Sequence, residues 1–290
     1  MDLQPGKSMD SKLFSFGVVA DIQYADKDTL GRRAYRDALG KLEQCVADWN
    51  RQTLAFAVEL GDLSDDREKQ ADCECDVKNV LKAFALLRHP LHRVLGNHGL
   101  GSLGYKRSCK LLEIPEKESW KEFSHCGWRF IFLNSMVMNA IAPDSPAFAE
   151  SRRFFEDNRG DEKPEIQDFN GGLGQTQRAW LTESLKDAET CGERVLAFCH
   201  LPLCPEASSY YHLPWDYREV LEIIDSSPAP AAFFTGHDHN GGYALRKGVH
   251  HVTFPGLIEA EPNAYASVEV FPDKLVIKGA GNMADRLLRL

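Results

Sequence analysis

Apolar runs of five to eight residues alternate with helix-patterned stretches through the first half of the chain. Residues 13–20 (LFSFGVVA), 54–60 (LAFAVEL) and 91–95 (LHRVL) read as strands too continuously apolar to have a solvated face. Between them, residues 29–51 and 75–88 (CDVKNVLKAFALLR) carry helical periodicity. A β-α-β-α-β order of this kind predicts parallel strands with helices on the sheet faces. Residues 120–126 and 128–134 then predict a hairpin turning at Cys126-Gly127. Residues 134–175 are the least regular, and a segment that long without a clear pattern is usually a lid or binding loop. An amphipathic helix is predicted over 175–188, with Trp180, Leu181 and Leu185 on one side. Strands are predicted again at 194–199 and 230–235. Runs at 249–254, 266–271 and 274–278 predict an antiparallel tail. No repeat or low-complexity tract divides the chain, which reads as one α/β domain over 1–290 with an irregular insertion at about 135–175.

The polar positions that interrupt this pattern are not scattered. Each of five strand-like runs ends in a polar cluster: Asp21-Ile22-Gln23, Gly61-Asp62-Leu63-Ser64-Asp65, Gly96-Asn97-His98-Gly99, His200-Leu201-Pro202 and Gly236-His237-Asp238-His239. Ligands of open α/β sheets bind beyond the carboxyl ends of the strands, so five such clusters are expected to meet on one edge. Each alone carries little: a Gly-Asp pair after a strand is usually a turn, and a lone histidine is more often a core residue than a ligand. Together they supply carboxylate, amide-oxygen and imidazole donors in a mixture that suits manganese, iron or zinc better than calcium. Only two carboxylates stand among the seven donors, so a pair of divalent ions held there keeps net positive charge and attracts phosphate oxygens.

Composition narrows the partners. A formal charge of −9 argues against a protein that grips the nucleic-acid backbone with a basic face. The first dozen residues lack the apolar stretch of a secretory signal, no apolar run reaches a membrane span, and eight cysteines in such a chain read as reduced thiols. The expectation is a cytoplasmic monomer acting on small nucleotide-type molecules, with no membrane or nucleic-acid partner.

The five clusters resemble the calcineurin-like metallophosphoesterase pattern, and the likeness extends from Leu13 to about Phe254. It implies a four-layer α/β/β/α sandwich with two metals at its strand ends. Carried across, Asp21, Gln23, Asp62 and His239 would hold one ion, and Asp62, Asn97, His200 and His237 the other, with Asp62 bridging. His98 matches a histidine outside the ligand set that contacts the phosphoryl group and protonates the leaving oxygen, and Asp65 matches a residue that orients it. Gln23 stands where most relatives have His, and Gly99 where they often have Asp or Glu. An amide oxygen is a harder donor than imidazole, which shifts the first site towards manganese or magnesium and away from zinc.

Gln at that position, the wording Val19-Ala20-Asp21-Ile22-Gln23-Tyr24-Ala25-Asp26 and His200-Leu201-Pro202 are similar to the manganese-dependent ADP-ribose/CDP-alcohol diphosphatases. That resemblance implies cleavage of ADP-ribose, CDP-choline and CDP-glycerol, with cyclic ADP-ribose and 2′,3′-cyclic AMP as further substrates. It implies two divalent ions per chain, manganese first, with iron, zinc and magnesium as alternatives. A cyclic-nucleotide phosphodiesterase or another phosphoesterase on the same scaffold is the rival enzyme reading. A metal-free scaffold is the rival non-enzyme, disfavoured because every ligand position and His98 are filled.

Overall fold

The computed structural model describes residues 11–290; the polar start of the chain, residues 1–10, lies outside the described residues. In chain order the strands are β1 (Phe14–Val19), β2 (Phe56–Glu59), β3 (Leu91–Arg93), β4 (Lys121–His125), β5 (Trp128–Phe132), β6 (Met138–Asn139), β7 (Gly171–Gly172), β8 (Arg194–Phe198), β9 (Pro230–Thr235), β10 (Gly242–Arg246), β11 (Val249–Thr253), β12 (Ala264–Val270), β13 (Lys274–Gly281) and β14 (Arg286–Arg289). One six-stranded sheet has the order β14-β13-β12-β1-β2-β3 and the other β10-β11-β9-β8-β5-β4. β1, β2 and β3 are parallel neighbours, as are β5, β8 and β9.

Why the strands lack a polar face is now plain: both faces of each sheet are covered. Phe16, Val18, Phe56 and Val58 meet Phe130, Phe132, Phe198 and Phe234 between the sheets. The other face of the first sheet, through Val19, Ala57 and Tyr265, packs on the helices Asp37–Asn50 and Gln70–Phe84. The other face of the second sheet, through Ile131, Val195, Ala197 and Phe233, packs on the helices Gly174–Cys191 and Tyr217–Asp225. This is the four-layer α/β/β/α sandwich. In the helix Asp37–Asn50 the buried positions Ala38, Leu42, Cys45, Val46 and Trp49 fall on one helical stripe, which is why it forms and which way it faces.

The structure departs from the sequence pattern in several places. The first helix begins at Asp37, eight residues later than predicted, and residues before it form a loop beside the strand ends. The second begins earlier, at Gln70, and ends at Phe84. The irregular segment contains the helix Phe148–Asn158 and the two-stranded β6–β7 pair. The tail is shared between the sheets: β12 and β13 pair antiparallel in the first, whereas β11 lies in the second, parallel to β9 and antiparallel to β10.

Buried His251 on β11 carries a stability consequence. It is 3% exposed, its ring stacks on Phe233, and its Nε2 has no hydrogen-bond partner. Burial pushes its pKa down to about 4. The folded chain therefore keeps this ring neutral where an unfolded chain would protonate it near pH ~6.5. Its contribution is complete above that value and is lost as pH falls towards the folded value. Comparing pH 7.5 with pH 4.5 in urea melts, wild type is expected to lose about 1–3 kcal/mol more than His251→Phe. Equal losses in the two proteins would show that this ring does not report on acid.

Candidate metal centre

Strand register brings the polar clusters together. β1 and β2 run level, Val19 opposite Glu59, so the two chains leave the sheet side by side. The Asp21 N–H then donates to the Gly61 carbonyl at 3.2 Å, and the Gln23 N–H to the Asp62 carbonyl at 2.8 Å. In the second sheet, Phe198 lies opposite Phe234, and the Gly236 N–H donates to the His200 carbonyl at 2.9 Å. One side chain ties the two sheets to each other and another ties neighbouring loops of the first: Asp21 Oδ2 accepts the His237 N–H at 2.9 Å, and Asp62 Oδ1 accepts the His98 N–H at 2.8 Å. The glycine before His237 is required by this closeness: a Cβ on Gly236 would sit 2.5 Å from Asp21 Oδ2.

Gln23, Asn97, His237 and His239 line a cleft of about 440 Å³. Asp62, His200 and His237 each place one ligand atom within 4.8 Å of the others, and all three residues are buried. His200 Nε2 lies 3.0 Å from Asn97 Oδ1 and 3.3 Å from Asp62 Oδ2, while its Nδ1–H donates to the Leu60 carbonyl at 2.8 Å. On the other side of Asp62, the Gln23 amide is 3.2 Å from Asp62 Oδ2 and 3.0 Å from His239 Nε2. His239 Nε2 is in turn 3.6 Å from Asp21 Oδ1. The other six expected ligand residues thus stand around Asp62. His98 sits beside them, its Nδ1 2.5 Å from Asp65 Oδ1, and Lys27 Nζ donates to Asp65 Oδ2 at 2.6 Å.

Backbone strain gathers at the same place. Asp21 (φ 53°), Gln23 (φ 42°), Asp62 (φ 61°) and His237 (φ 68°) are left-handed, half of the eight such non-glycine residues among the described residues. Each costs ~1–2 kcal/mol relative to the right-handed region, and the surrounding hydrogen bonds hold them there.

The electrostatics call for a cation. Burial by itself would raise the pKa of Asp62, but the charges of His200 and His98 hold it well below the usual carboxylate range. Burial would depress His98, yet the Asp62 charge and then its bonds to Asp65 and Asp66 hold it up to about 10. His200 is raised to about 9, Asp62 outweighing its burial. His237 goes the other way, pushed well below its ordinary value by burial and the neighbouring His200. Two buried oxygens, Asp21 Oδ1 and Gln23 Oε1, have no hydrogen-bond partner. Such atoms cost ~1–3 kcal/mol each when left alone, and a divalent cation is the group that satisfies both. Carboxylate, amide oxygen and imidazole are the donor types that manganese accepts, so the residues fit a pair of such ions.

The cleft wall holds residues that sequence patterns did not mark: Arg33 from the loop before the first helix, Phe169 and Asp168 from the irregular segment, and His212. His212 could have been suspected from its place after a Tyr-Tyr pair in a loop, but nothing in its neighbourhood signals a ligand site. Asp66, next to Asp65, lies 3.5 Å from His98 Nδ1. Other arginines and aromatic rings of the chain have partners outside the cleft. Arg152 pairs with Glu156, and Arg246 with Asp225 and Glu206. Phe154 and Phe155 both stack on Trp215.

Two sheets sandwiched by helices, with Asp, Gln, Asn and His donors gathered at the carboxyl ends of their strands, define a dimetal phosphoesterase of the calcineurin-like fold. A dimetal phosphatase from Danio rerio is similar in structure, with a TM-score of 0.88 and 26% identity over 96% of this chain and 99% of that one. No protein-family model matches the chain. The manganese-dependent ADP-ribose/CDP-alcohol diphosphatase of Oryza sativa subsp. japonica is 34% identical over 94% of this chain and 93% of its own. That of Mus musculus is 34% identical over 99% of this chain and 96% of its own. The chain belongs to the manganese-dependent ADP-ribose/CDP-alcohol diphosphatases and is a metal-dependent hydrolase.

Proposed function

We propose that this chain hydrolyses the diphosphate linkage of ADP-ribose and of CDP-alcohols such as CDP-choline and CDP-glycerol, releasing a nucleoside monophosphate and a phosphorylated sugar or alcohol. The observation that carries this reading is the meeting of five strand-end clusters around Asp62, with Asp21 Oδ1 and Gln23 Oε1 buried and unpartnered beside it. Asp21, Gln23, Asp62 and His239 hold one divalent ion and Asp62, Asn97, His200 and His237 the other, manganese being preferred. When bound, such a pair supplies Lewis acidity towards phosphoryl oxygens and makes a hydroxide nucleophile available near neutral pH.

The chain's own groups do the rest. Asp65 fixes the His98 ring through Nδ1, which leaves Nε2 to donate a proton to the bridging oxygen as water adds to one phosphorus and the bond from that phosphorus to the bridging oxygen breaks, the oxygen leaving with the second phosphoryl group. Lys27 holds Asp65 in place. Arg33 places a positive charge on the cleft wall, where a second phosphoryl group of a diphosphate can pair with it. Among the described residues no helix is long and apolar enough to cross a membrane, and the eight cysteines are free thiols. We read the chain as a single-domain cytoplasmic monomer; the free thiols fit a reducing compartment, and the acidic balance favours small nucleotides over nucleic acid.

The test is a substrate panel with manganese, magnesium and zinc: ADP-ribose, CDP-choline, cyclic ADP-ribose, 2′,3′-cyclic AMP, 3′,5′-cyclic AMP and a phosphopeptide. ADP-ribose and CDP-choline with manganese are expected to give the highest kcat/KM. Dominant turnover of a cyclic nucleotide would replace this reading with a phosphodiesterase, and dominant turnover of the phosphopeptide with a protein phosphatase.

A further inference from the structure

The two histidines of Gly-His-Asp-His each have one ring nitrogen engaged by a residue from a distant part of the chain. His237 Nε2 lies 2.9 Å from Asn170 Oδ1. Asn170 is fully buried, and its Nδ2 donates to the carbonyls of Glu165 at 3.0 Å and Tyr211 at 2.8 Å. With both amide hydrogens committed to carbonyls, the amide oxygen must face the ring. An amide oxygen only accepts, so His237 Nε2 carries the hydrogen and Nδ1 keeps its lone pair. His239 shows the complementary arrangement. Its Nδ1 lies 3.0 Å from Glu259 Oε1, so Nδ1 carries the hydrogen and Nε2, the nitrogen beside Gln23 and Asp21, keeps the lone pair. Glu259 is itself held by Arg33 Nε at 3.3 Å and Arg32 at 2.7 Å.

We infer that Asn170 and Glu259 are positioning residues that lock His237 and His239 in opposite tautomers, so that each presents the nitrogen a metal ion needs. The inference rests on the ligand assignment above. Asn170 belongs to the irregular segment and Glu259 follows β11, so neither is part of a strand-end cluster. The irregular segment is thereby an integral part of the metal centre as well as a wall of the cleft. Glu259 also links Arg33, which faces the cleft, to a ligand that lines it. Partners of this kind fix ring orientation and raise ligand basicity, and their loss typically costs ~10–100-fold in metal affinity.

Manganese binding by the full chain, followed by titration calorimetry on wild type and on Asn170→Leu, Glu259→Leu and Glu259→Gln, tests this without recourse to activity. Wild type is expected to bind two equivalents. Each leucine variant is expected to weaken one equivalent by ~10–100-fold, whereas Glu259→Gln stays near wild type because its amide oxygen still accepts from Nδ1. Leucine variants that bind as wild type does would overturn the inference. So would a Glu259→Gln as impaired as Glu259→Leu, which would assign the effect to the arginine ion pairs instead. Should Asn170→Leu fail to fold, imidazole ¹⁵N spectra of the magnesium-loaded wild type decide its half: Nε2–H on His237 and Nδ1–H on His239 support it, and the reverse tautomers refute it. A wild type that binds no manganese would refute the ligand assignment itself, a result distinct from all of these.

Discussion

Asp62→Asn is expected to lower turnover of ADP-ribose on the order of 10³-fold, about 4 kcal/mol of transition-state stabilisation, while the protein stays folded. The substitution keeps the shape of the side chain and removes its charge. Asp62 Oδ1 accepts the His98 N–H, and Oδ2 lies between the Gln23 amide and His200 Nε2. One carboxylate thus faces both halves of the proposed centre, and an uncharged amide in its place turns an NH₂ group towards donors or cations on at least one side. Asp21 cannot take over the proposed bridging position, because it is committed through Oδ2 to the His237 backbone. Two measurements check this, kcat with saturating manganese and the manganese content of the purified protein. Retention of two equivalents of manganese together with wild-type kcat would show that Asp62 is not the bridging ligand.

Gly96→Ala is expected to lose activity and stability together, which separates it from Asp62→Asn. A Cβ at position 96 would lie 2.0 Å from Asp62 Oδ1 and 2.4 Å from the Asp62 backbone nitrogen. Neither is the free end of a flexible side chain, so the loop after β3 must back away from the loop after β2. That movement breaks the 2.8 Å bond from the His98 N–H to Asp62 and carries Asn97 and His98 out of place. Overpacking of a close-packed site costs ~1–3 kcal/mol, and displacement of two site residues by about an ångström costs roughly 10²-fold in rate. The urea midpoint and kcat of the variant are the readouts. Gly160→Ala is the control, since a Cβ there meets nothing within 4 Å. A Gly96→Ala protein with both values unchanged would mean that the two loops are looser than their contacts indicate.

Much of this was present in one dimension because the chemistry sits where secondary structure changes. A buried parallel strand must be apolar on both faces, so the first polar residues after it mark the sheet edge, and ligands gather at that edge. Asp21, Gln23, Asp62, Asn97, His98, His200, His237 and His239 all occupy such positions, and they were legible for that reason. The hairpin at Cys126-Gly127 was legible too, because two strand-like runs flank a turn that holds a glycine, and both turn residues take the left-handed backbone in the structure. The helices Phe148–Asn158 and Tyr217–Asp225 were not. Both are short, and apolar runs such as Val220, Leu221 and Ile224 are compatible with strand or helix until a neighbouring sheet selects one.

The chain by itself determined the kind of donors, their order and the strand ends that carry them, since these follow from local burial and residue chemistry. Only the tertiary structure decided which nitrogen of each imidazole faces inwards, and that Asn170, Glu259, Arg33 and His212 belong to the same site. Those choices depend on contacts between residues far apart in the chain, as with Asn170 and His237 or Glu259 and His239, whose approach is fixed by sheet packing and loop paths that no local pattern encodes.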